Sequence, residues 1–515
     1  MKALFRVSLA VSALAIFFGV QERAAAATSC ADLADLSLPQ TEITMAERVP
    51  AGEFDPPGGG FARPFPVPEF CRVAGTVAPA IDFEVWLPVP EAWNGRFQAV
   101  GGGGFAGVIS YGAMGTALRA GYVTASTDTG HDAGELAWLM DAQRMRDYGY
   151  RAIHEMTVKA KALLNDYYGR DAEYSYFNGC STGGRQGLME VQRFPDDYDG
   201  VISGAPVNNF TRLHMSQLWM AHAIYKVPGA ELTRDDFAMI RDAVLKQCDA
   251  KDGVKDGILT DPRRCDFDPR TLQCEAGESE GCLSRPQVEA LEDMYQGPRN
   301  PRTGAQIYPG LEPGGEGPQP GNPGWSMILN GGQPFMLAHE LIRRGVFENP
   351  DYDWRNFDFD QDVEHADRKL GHVLNAVDPD LRDFTQDGGK LIIWHGWNDP
   401  GVMPQATVNY YESIVDFAYQ TVGRDARETV AESARLFMLP GVGHCRGGLG
   451  PDQADFMAAI TDWVEDGEAP DEIIAVKEQK GEVKMSRPLC PYPQYARYTG
   501  NGDTDAAENF ECVAP

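Results

Sequence analysis

Ser181 and His444 are residue types that together can carry out nucleophilic acyl transfer, and each has a cysteine beside it, Cys180 and Cys445. If those cysteines are bonded, nucleophile and base are stapled across the long stretch of chain between them. The run Tyr174-Ser-Tyr-Phe-Asn-Gly-Cys-Ser-Thr-Gly-Gly184 predicts a strand that breaks at Gly179-Cys180-Ser181-Thr182-Gly183 and continues as a helix through Met189. This is G-x-S-x-G in a strand-turn-helix setting, a strained turn that presents the serine oxygen at the top edge of a sheet. Small residues flank it because the backbone must pack closely there.

A serine hydroxyl needs a base to take its proton, and the base needs an acid to fix its tautomer and stabilise its charge. In α/β-hydrolases the chain order is Ser, then Asp or Glu, then His. Asp399 lies in His395-Gly-Trp-Asn-Asp-Pro400 after one apolar strand, and His444 closes Pro440-Gly-Val-Gly-His444 after another. Both fall just beyond strand C-termini, where open α/β sheets build their sites. Each residue alone has a bland alternative: a chance motif, a turn cap, a core histidine. Their order and setting together favour a Ser181-His444-Asp399 triad. His395 competes for the role of base, but it shares the strand-end loop of Asp399 and is expected to be structural.

The developing oxyanion needs backbone N–H donors. Thr182, directly after the serine, is one candidate; the second is expected from Gly101-Gly-Gly-Gly-Phe-Ala-Gly107, with Gly103 and Gly104 as candidates. A phosphate-cradling loop is the rival reading, but no P-loop lysine or Rossmann spacing follows. Farther on, Cys248-Asp249-Ala-Lys-Asp252-Gly-Val254-Lys-Asp256-Gly-Ile258 offers the carboxylates of Asp249, Asp252 and Asp256 and the carbonyls of Val254 and Ile258. Hard oxygen donors suit Ca2+, here a structural ion, although the closing glutamate of an EF-hand is missing. The alternative is a solvated acidic turn.

The elements that must position these residues alternate. Strand patterns at 83–87, 97–100, 122–126, 174–177, 200–205, 390–394 and 434–439, with a long helix over 150–168, predict an α/β sheet. From 206 to 379 the rhythm changes, and a Pro/Gly-rich stretch at 297–323 is poor in regular structure. The expected architecture is an α/β-hydrolase fold in two parts, 28–206 and 380–515, with a large inserted lid domain over 207–379.

The first residues, charged and then briefly apolar before Ala24 to Ala27, predict a secretory signal peptide over 1–27, with an uncleaved anchor as the alternative. About 490 residues would remain, more than one simple core usually organises. A formal net charge of −30 argues against nucleic acid and anionic membrane surfaces as partners. Ten cysteines in an exported chain imply a disulfide framework in a secreted or periplasmic protein. Count alone does not fix connectivity, but local pairs are expected: Cys30 with Cys71, Cys248 with Cys265, Cys274 with Cys282, and Cys490 with Cys512. No C-x-x-C or H-x3-5-H pattern suggests zinc.

These segments resemble the tannase and feruloyl esterase family of secreted serine esterases, which includes the enzyme hydrolysing mono(2-hydroxyethyl) terephthalate. The resemblance rests on Gly179 to Gly184, His395-Gly396 leading to Asp399, Gly443-His444-Cys445, the loop from Asp249 to Ile258, and Tyr352-Asp-Trp-Arg-Asn-Phe-Asp-Phe-Asp-Gln-Asp362. It implies that Cys180 bonds Cys445, that the four local pairs form, that the calcium is structural, and that the lid shapes an acid-binding pocket. It also implies a small aromatic ester as substrate, feruloyl or hydroxycinnamoyl first, with gallate and terephthalate monoesters as alternatives and no organic cofactor. Arg343 and Arg344 are cationic candidates for a substrate carboxylate. Outside the esterases, a serine peptidase or an inactive secreted binding protein are the other readings.

Overall fold

Leu391-Ile-Ile-Trp394 is apolar at successive positions, a pattern that fits a strand covered on both faces. The computed structural model, which describes residues 28–57, 63–278 and 280–515, places it in the parallel part of a mixed sheet, next to the edge strand. The expected signal peptide over 1–27 lies outside the described residues. The sheet strands are β1 (Thr41–Val49), β2 (Phe70–Val77), β3 (Ile81–Pro88), β4 (Arg96–Val100), β5 (Val123–Thr127), β6 (Tyr174–Cys180), β7 (Gly200–Gly204), β8 (Lys390–Gly396) and β9 (Ala434–Leu439). They lie in the order β1-β2-β3-β5-β4-β6-β7-β8-β9. Pairing is antiparallel from β1 to β5 and parallel from β5 through β9.

Helices cover both faces. Along α1 (Ala152–Tyr168), Ile153, Met156, Ala160, Leu163, Leu164 and Tyr167 recur at helical spacing, and all are buried. With α2 (Thr182–Arg193) and α6 (Pro404–Val422) it packs on one face of the sheet; α7 (Phe456–Glu465) packs on the other. The helices α3 (Phe210–Tyr225), α4 (Arg234–Cys248) and α5 (Arg285–Gln296) belong to the segment between β7 and β8, which adds no strand to this sheet. The parallel sheet, its flanking helices and the sharp strand-to-helix turn after β6 make this an α/β-hydrolase fold.

The segment between β7 and β8 does not bury its apolar groups alone. Phe210, Leu218, Phe237, Trp325 and Trp354 share one core with Trp138, Leu139 and Tyr148, which precede the nucleophile, and with Val402 and Met403, which follow Asp399. Within Tyr352–Asp362, Trp354, Phe357 and Phe359 are buried in this core. All ten cysteines are paired: Cys30–Cys71, Cys180–Cys445, Cys248–Cys265, Cys274–Cys282 and Cys490–Cys512. No described helix is long and apolar enough to cross a membrane.

The turn after β6 leaves no room at Gly179. A Cβ there would stand 2.6 Å from the backbone carbon and oxygen of Gly183. Neither atom can move without displacing the start of α2. Gly179→Ala is therefore expected to destabilise the fold by about 2–3 kcal/mol, as for overpacking against fixed backbone. An unchanged melting temperature would show that the strand and helix do not approach this closely.

Candidate active site

The G-x-S-x-G segment becomes a turn because β6 must reverse into α2 within one residue. Ser181 takes that position with φ 65° and ψ −123°, outside the regions a side chain ordinarily adopts. Such a residue costs about 1–3 kcal/mol and persists only where its surroundings hold it. Here the Ser181 N–H donates to the Gly204 carbonyl at 2.9 Å, and the Ser181 carbonyl accepts from Arg185 N–H at 3.1 Å. Cys180, the residue before it, is bonded to Cys445.

Three side chains from three strand ends meet in a line. Ser181 Oγ donates to His444 Nε2 at 2.8 Å, and His444 Nδ1 donates to Asp399 Oδ2 at 2.6 Å. The Asp399 side chain is fully buried, whereas that of His444 is 28% exposed. Asp399 Oδ1 accepts the N–H groups of Gly401 and Val402 at 2.8 and 2.9 Å. Burial alone would raise the Asp399 pKa, but the charge His444 can carry, together with the hydrogen bonds of the two facing histidines, outweighs it and holds the carboxyl well below its ordinary range. Burial likewise disfavours the His444 cation, yet the Asp399 carboxylate wins and raises its pKa.

His395 does not hydrogen-bond Ser181. Its Nε2 lies 3.0 Å from Asp399 Oδ2 and 3.1 Å from the Val402 carbonyl, two acceptors that require a proton on this nitrogen. Thr407 Oγ1 lies 2.7 Å from Nδ1 and donates to it. The completely buried ring thus holds the acid of the trio in place.

The glycine-rich loop after β4 lies over the start of α2. Gly101 N–H donates to the Asn178 carbonyl and Gly102 N–H to Gln186 Oε1, both at 3.0 Å, so neither is free for a ligand. Among the described residues, no acceptor meets the N–H groups of Gly103 or Gly104. The loop is braced from below by Thr182 Oγ1 and Tyr148 Oη, which donate to the Gly104 carbonyl at 2.6 and 2.8 Å, and by His131 Nε2, which donates to the Phe105 carbonyl at 2.7 Å. Gln186 lies one helical turn beyond Thr182 and could have been found from that spacing. Tyr148 and His131 carry no sequence signal linking them to the loop.

The acidic loop after α4 stands apart from these residues. Asp249 Oδ1 accepts Gly257 N–H, Asp252 accepts Val254 N–H and the Thr260 backbone and hydroxyl, and Asp256 accepts Ile258 N–H and Arg487. Burial first, and then a neighbouring carboxylate, raises the pKa of Asp252 and Asp256. No donor among the described residues reaches the carbonyls of Val254 or Ile258. One carboxylate oxygen from each of Asp249, Asp252 and Asp256 does not fall within 4.8 Å of the other two. Three carboxylates against one guanidinium, with two free carbonyls, fit a hard divalent cation. Arg343 and Arg344 in the segment after β7 both donate to Glu340. Arg343 does so through Nε and Nη2, Arg344 through Nε alone.

The sequence model of the tannase and feruloyl esterase family matches residues 66–513. An uncharacterised esterase of Xanthomonas campestris pv. campestris is 40% identical over 536 residues, covering 95% of this chain and 92% of its own. Mono(2-hydroxyethyl) terephthalate hydrolase of Piscinibacter sakaiensis is 33% identical, with coverage of 87% and 85%. The crystal structure of feruloyl esterase B from Aspergillus oryzae superposes with a TM-score of 0.86 at 28% identity, covering 94% of this chain and all of that one.

A base must be neutral to accept the serine proton. With its pKa raised, His444 remains protonated to a higher pH than an ordinary histidine. The acid limb of kcat/KM for ester hydrolysis should accordingly have its midpoint above about 6.5, the ordinary histidine value. Asp399→Asn should move it down and lower kcat by about 10³- to 10⁴-fold. A wild-type midpoint at or below the ordinary value would contradict the His444–Asp399 coupling.

Proposed function

The chain belongs to the tannase and feruloyl esterase family, and on that premise we propose that it hydrolyses esters of small aromatic acids, feruloyl or hydroxycinnamoyl esters first, through an acyl-enzyme on Ser181. It is a carboxylic ester hydrolase. The observation that carries the reading is the Ser181-His444-Asp399 line at 2.8 and 2.6 Å. His444 Nε2 takes the Ser181 proton as Oγ attacks the acyl carbon, and Asp399 stabilises the resulting imidazolium. The N–H of Thr182 and those of Gly103 and Gly104 receive the oxyanion. His444 then protonates the leaving alcohol, after which water attacks the acyl group by the same route in reverse.

The segment over 207–379 acts as the lid in this reading. Three of its contacts with the site bear on this role. Leu337 Cδ1 lies 3.8 Å from where a Cβ on Gly104 would stand. Asn322 Nδ2 donates to the Asn398 carbonyl beside Asp399, and Asn398 Nδ2 donates to the Gly314 carbonyl, both at 3.0 Å. A lid so attached can exclude water from the acyl-enzyme and grip the aromatic ring. Gallate esters and mono(2-hydroxyethyl) terephthalate are the alternative substrates. Five disulfides support export to a secreted or periplasmic location. Asp249, Asp252, Asp256 and the carbonyls of Val254 and Ile258 would hold Ca2+, whose contribution is to neutralise the loop.

Two measurements test these proposals. Initial rates on methyl ferulate, methyl gallate and mono(2-hydroxyethyl) terephthalate should show turnover of at least one, fastest on the ferulate, and Ser181→Ala should lower kcat by roughly 10⁵- to 10⁶-fold. Folded protein inactive on all three would remove aromatic esters from the reading. Chelation should lower stability by about 2–3 kcal/mol, the linkage expected for an ion present at a hundredfold its Kd. Calcium, and not magnesium, should restore it; a melting curve indifferent to chelator would leave the loop a plain acidic turn.

A further inference from the structure

Far from Ser181, the last turns of α2 carry a buried acid with no use in the mechanism above. Glu190 is 1% exposed, and neither of its carboxylate oxygens has a hydrogen-bond partner. An unpartnered buried carboxylate costs several kcal/mol unless something neutralises it. Its surroundings offer two further ligand atoms. His154 on α1 and Asp197, just after α2, approach so that one atom from each of the three residues lies within 4.8 Å of the other two. Among the described residues this is the one group of three histidine, cysteine or carboxylate side chains that converges in this way.

Lys161 faces the same cluster, but its ammonium donates to the Asp197 backbone carbonyl at 2.6 Å, not to either carboxylate. His154 Nδ1 donates to Asp197 Oδ2 at 2.7 Å, with its ring stacked on Phe194 at 3.9 Å. The His154 side chain is 32% exposed, which gives the cluster a side open to solvent. Burial, followed by the neighbouring Asp197 carboxylate, pushes Glu190 well above the ordinary carboxyl range, and the Lys161 ammonium opposes that shift without cancelling it.

We propose that His154, Glu190 and Asp197 form a site for a divalent ion of the zinc class, clamping the end of the nucleophile helix α2 to α1. Imidazole nitrogen and carboxylate oxygen are both donors such ions take, and three protein ligands leave the fourth position of a tetrahedral site to water. On binding, His154 Nδ1 gives up its proton and its bond to Asp197, Glu190 gives up the proton that burial favours on it, both protons pass to solvent, and the ion takes their place. The signal is scattered in sequence, with ligands separated by tens of residues, so no metal-spacing motif announces it. The site is distinct from the acidic loop after α4, which offers oxygen donors alone.

The test uses full-length protein, stripped with chelator and then saturated with Ca2+ so that the acidic loop does not contribute. Co2+, a spectroscopic substitute for Zn2+, should bind at one equivalent with a visible absorption band characteristic of mixed nitrogen and oxygen ligation, and Zn2+ should displace it. Glu190→Gln and His154→Phe, the second retaining the stack on Phe194, should each weaken Co2+ binding at least tenfold. His154 is partly exposed, so its variant supplies the comparison should Glu190→Gln fail to fold. Co2+ uptake by the wild type equal to that of the His154→Phe variant overturns the site. In that case Glu190 and Asp197 share a proton in place of an ion.

Discussion

The 2.8 Å contact between Ser181 and His444 joins two loops whose strands, β6 and β9, are separated in the sheet by β7 and β8. A hydrogen bond of that length tolerates little error, yet sheet twist and loop freedom accumulate across three strand pairings. The Cys180–Cys445 bond removes the error where it matters, one residue before the nucleophile and one after the base. Cys445, like Ser181, lies at positive φ, 61° against 65°. The covalent link thus joins two turns that each hold a residue at positive φ. Closing a loop with a sequence separation of 265 residues also restricts the unfolded chain, by roughly 5 kcal/mol in the chain-entropy account.

The acid of the trio poses a different problem. Asp399 is buried, and an isolated carboxylate there would hold its proton and fail to support an imidazolium. Two backbone N–H groups on one oxygen and two histidines on the other keep it ionised. This arrangement explains why two histidines occur at strand ends near one aspartate. His395, fixed by Thr407 on its far side, is a permanent donor, whereas His444 alone reaches Ser181 and can cycle its proton.

Much of this was legible in the sequence because it depends on local pattern. The strands β8 and β9 are continuous apolar runs, and the turn at Gly179 to Gly183 admits few residue types, so each is visible in a short window. β1 was not read because Thr41–Val49 is an edge strand whose residues are exposed or only half-buried. The hairpin of Ile473–Gln479 with Glu482–Leu489 was missed for another reason: buried and exposed positions alternate along Ile473–Gln479, but the residue types do not follow, with Ile474 exposed and Lys477 buried. The positions of Tyr148 and His131 beneath the glycine loop are products of tertiary packing, and no spacing could disclose them. Arg343 and Arg344 show the converse. Their charge invited a role in binding, but the sequence did not disclose that Glu340, one turn earlier, pairs with both.

The same contrast bears on specificity. The groups proposed to break and form bonds belong to the sheet and its first turns, where register and burial leave almost no freedom. The contacts that would select an acyl group come from the segment between β7 and β8, whose stretch around Gly314 to Leu337 has little regular secondary structure. That stretch does not float. Its Gly314 and Asn322 are bonded to Asn398, next to Asp399, and Gly448 N–H, beyond Cys445, donates to the Pro320 carbonyl at 2.8 Å. A substitution that reshapes the acyl pocket by moving this backbone must therefore pull on the loops of Asp399 and His444. Changes confined to side chains such as Leu337 escape that coupling. Variation of substrate on this scaffold should proceed through side-chain replacement in the lid, with its backbone and the paired asparagines retained.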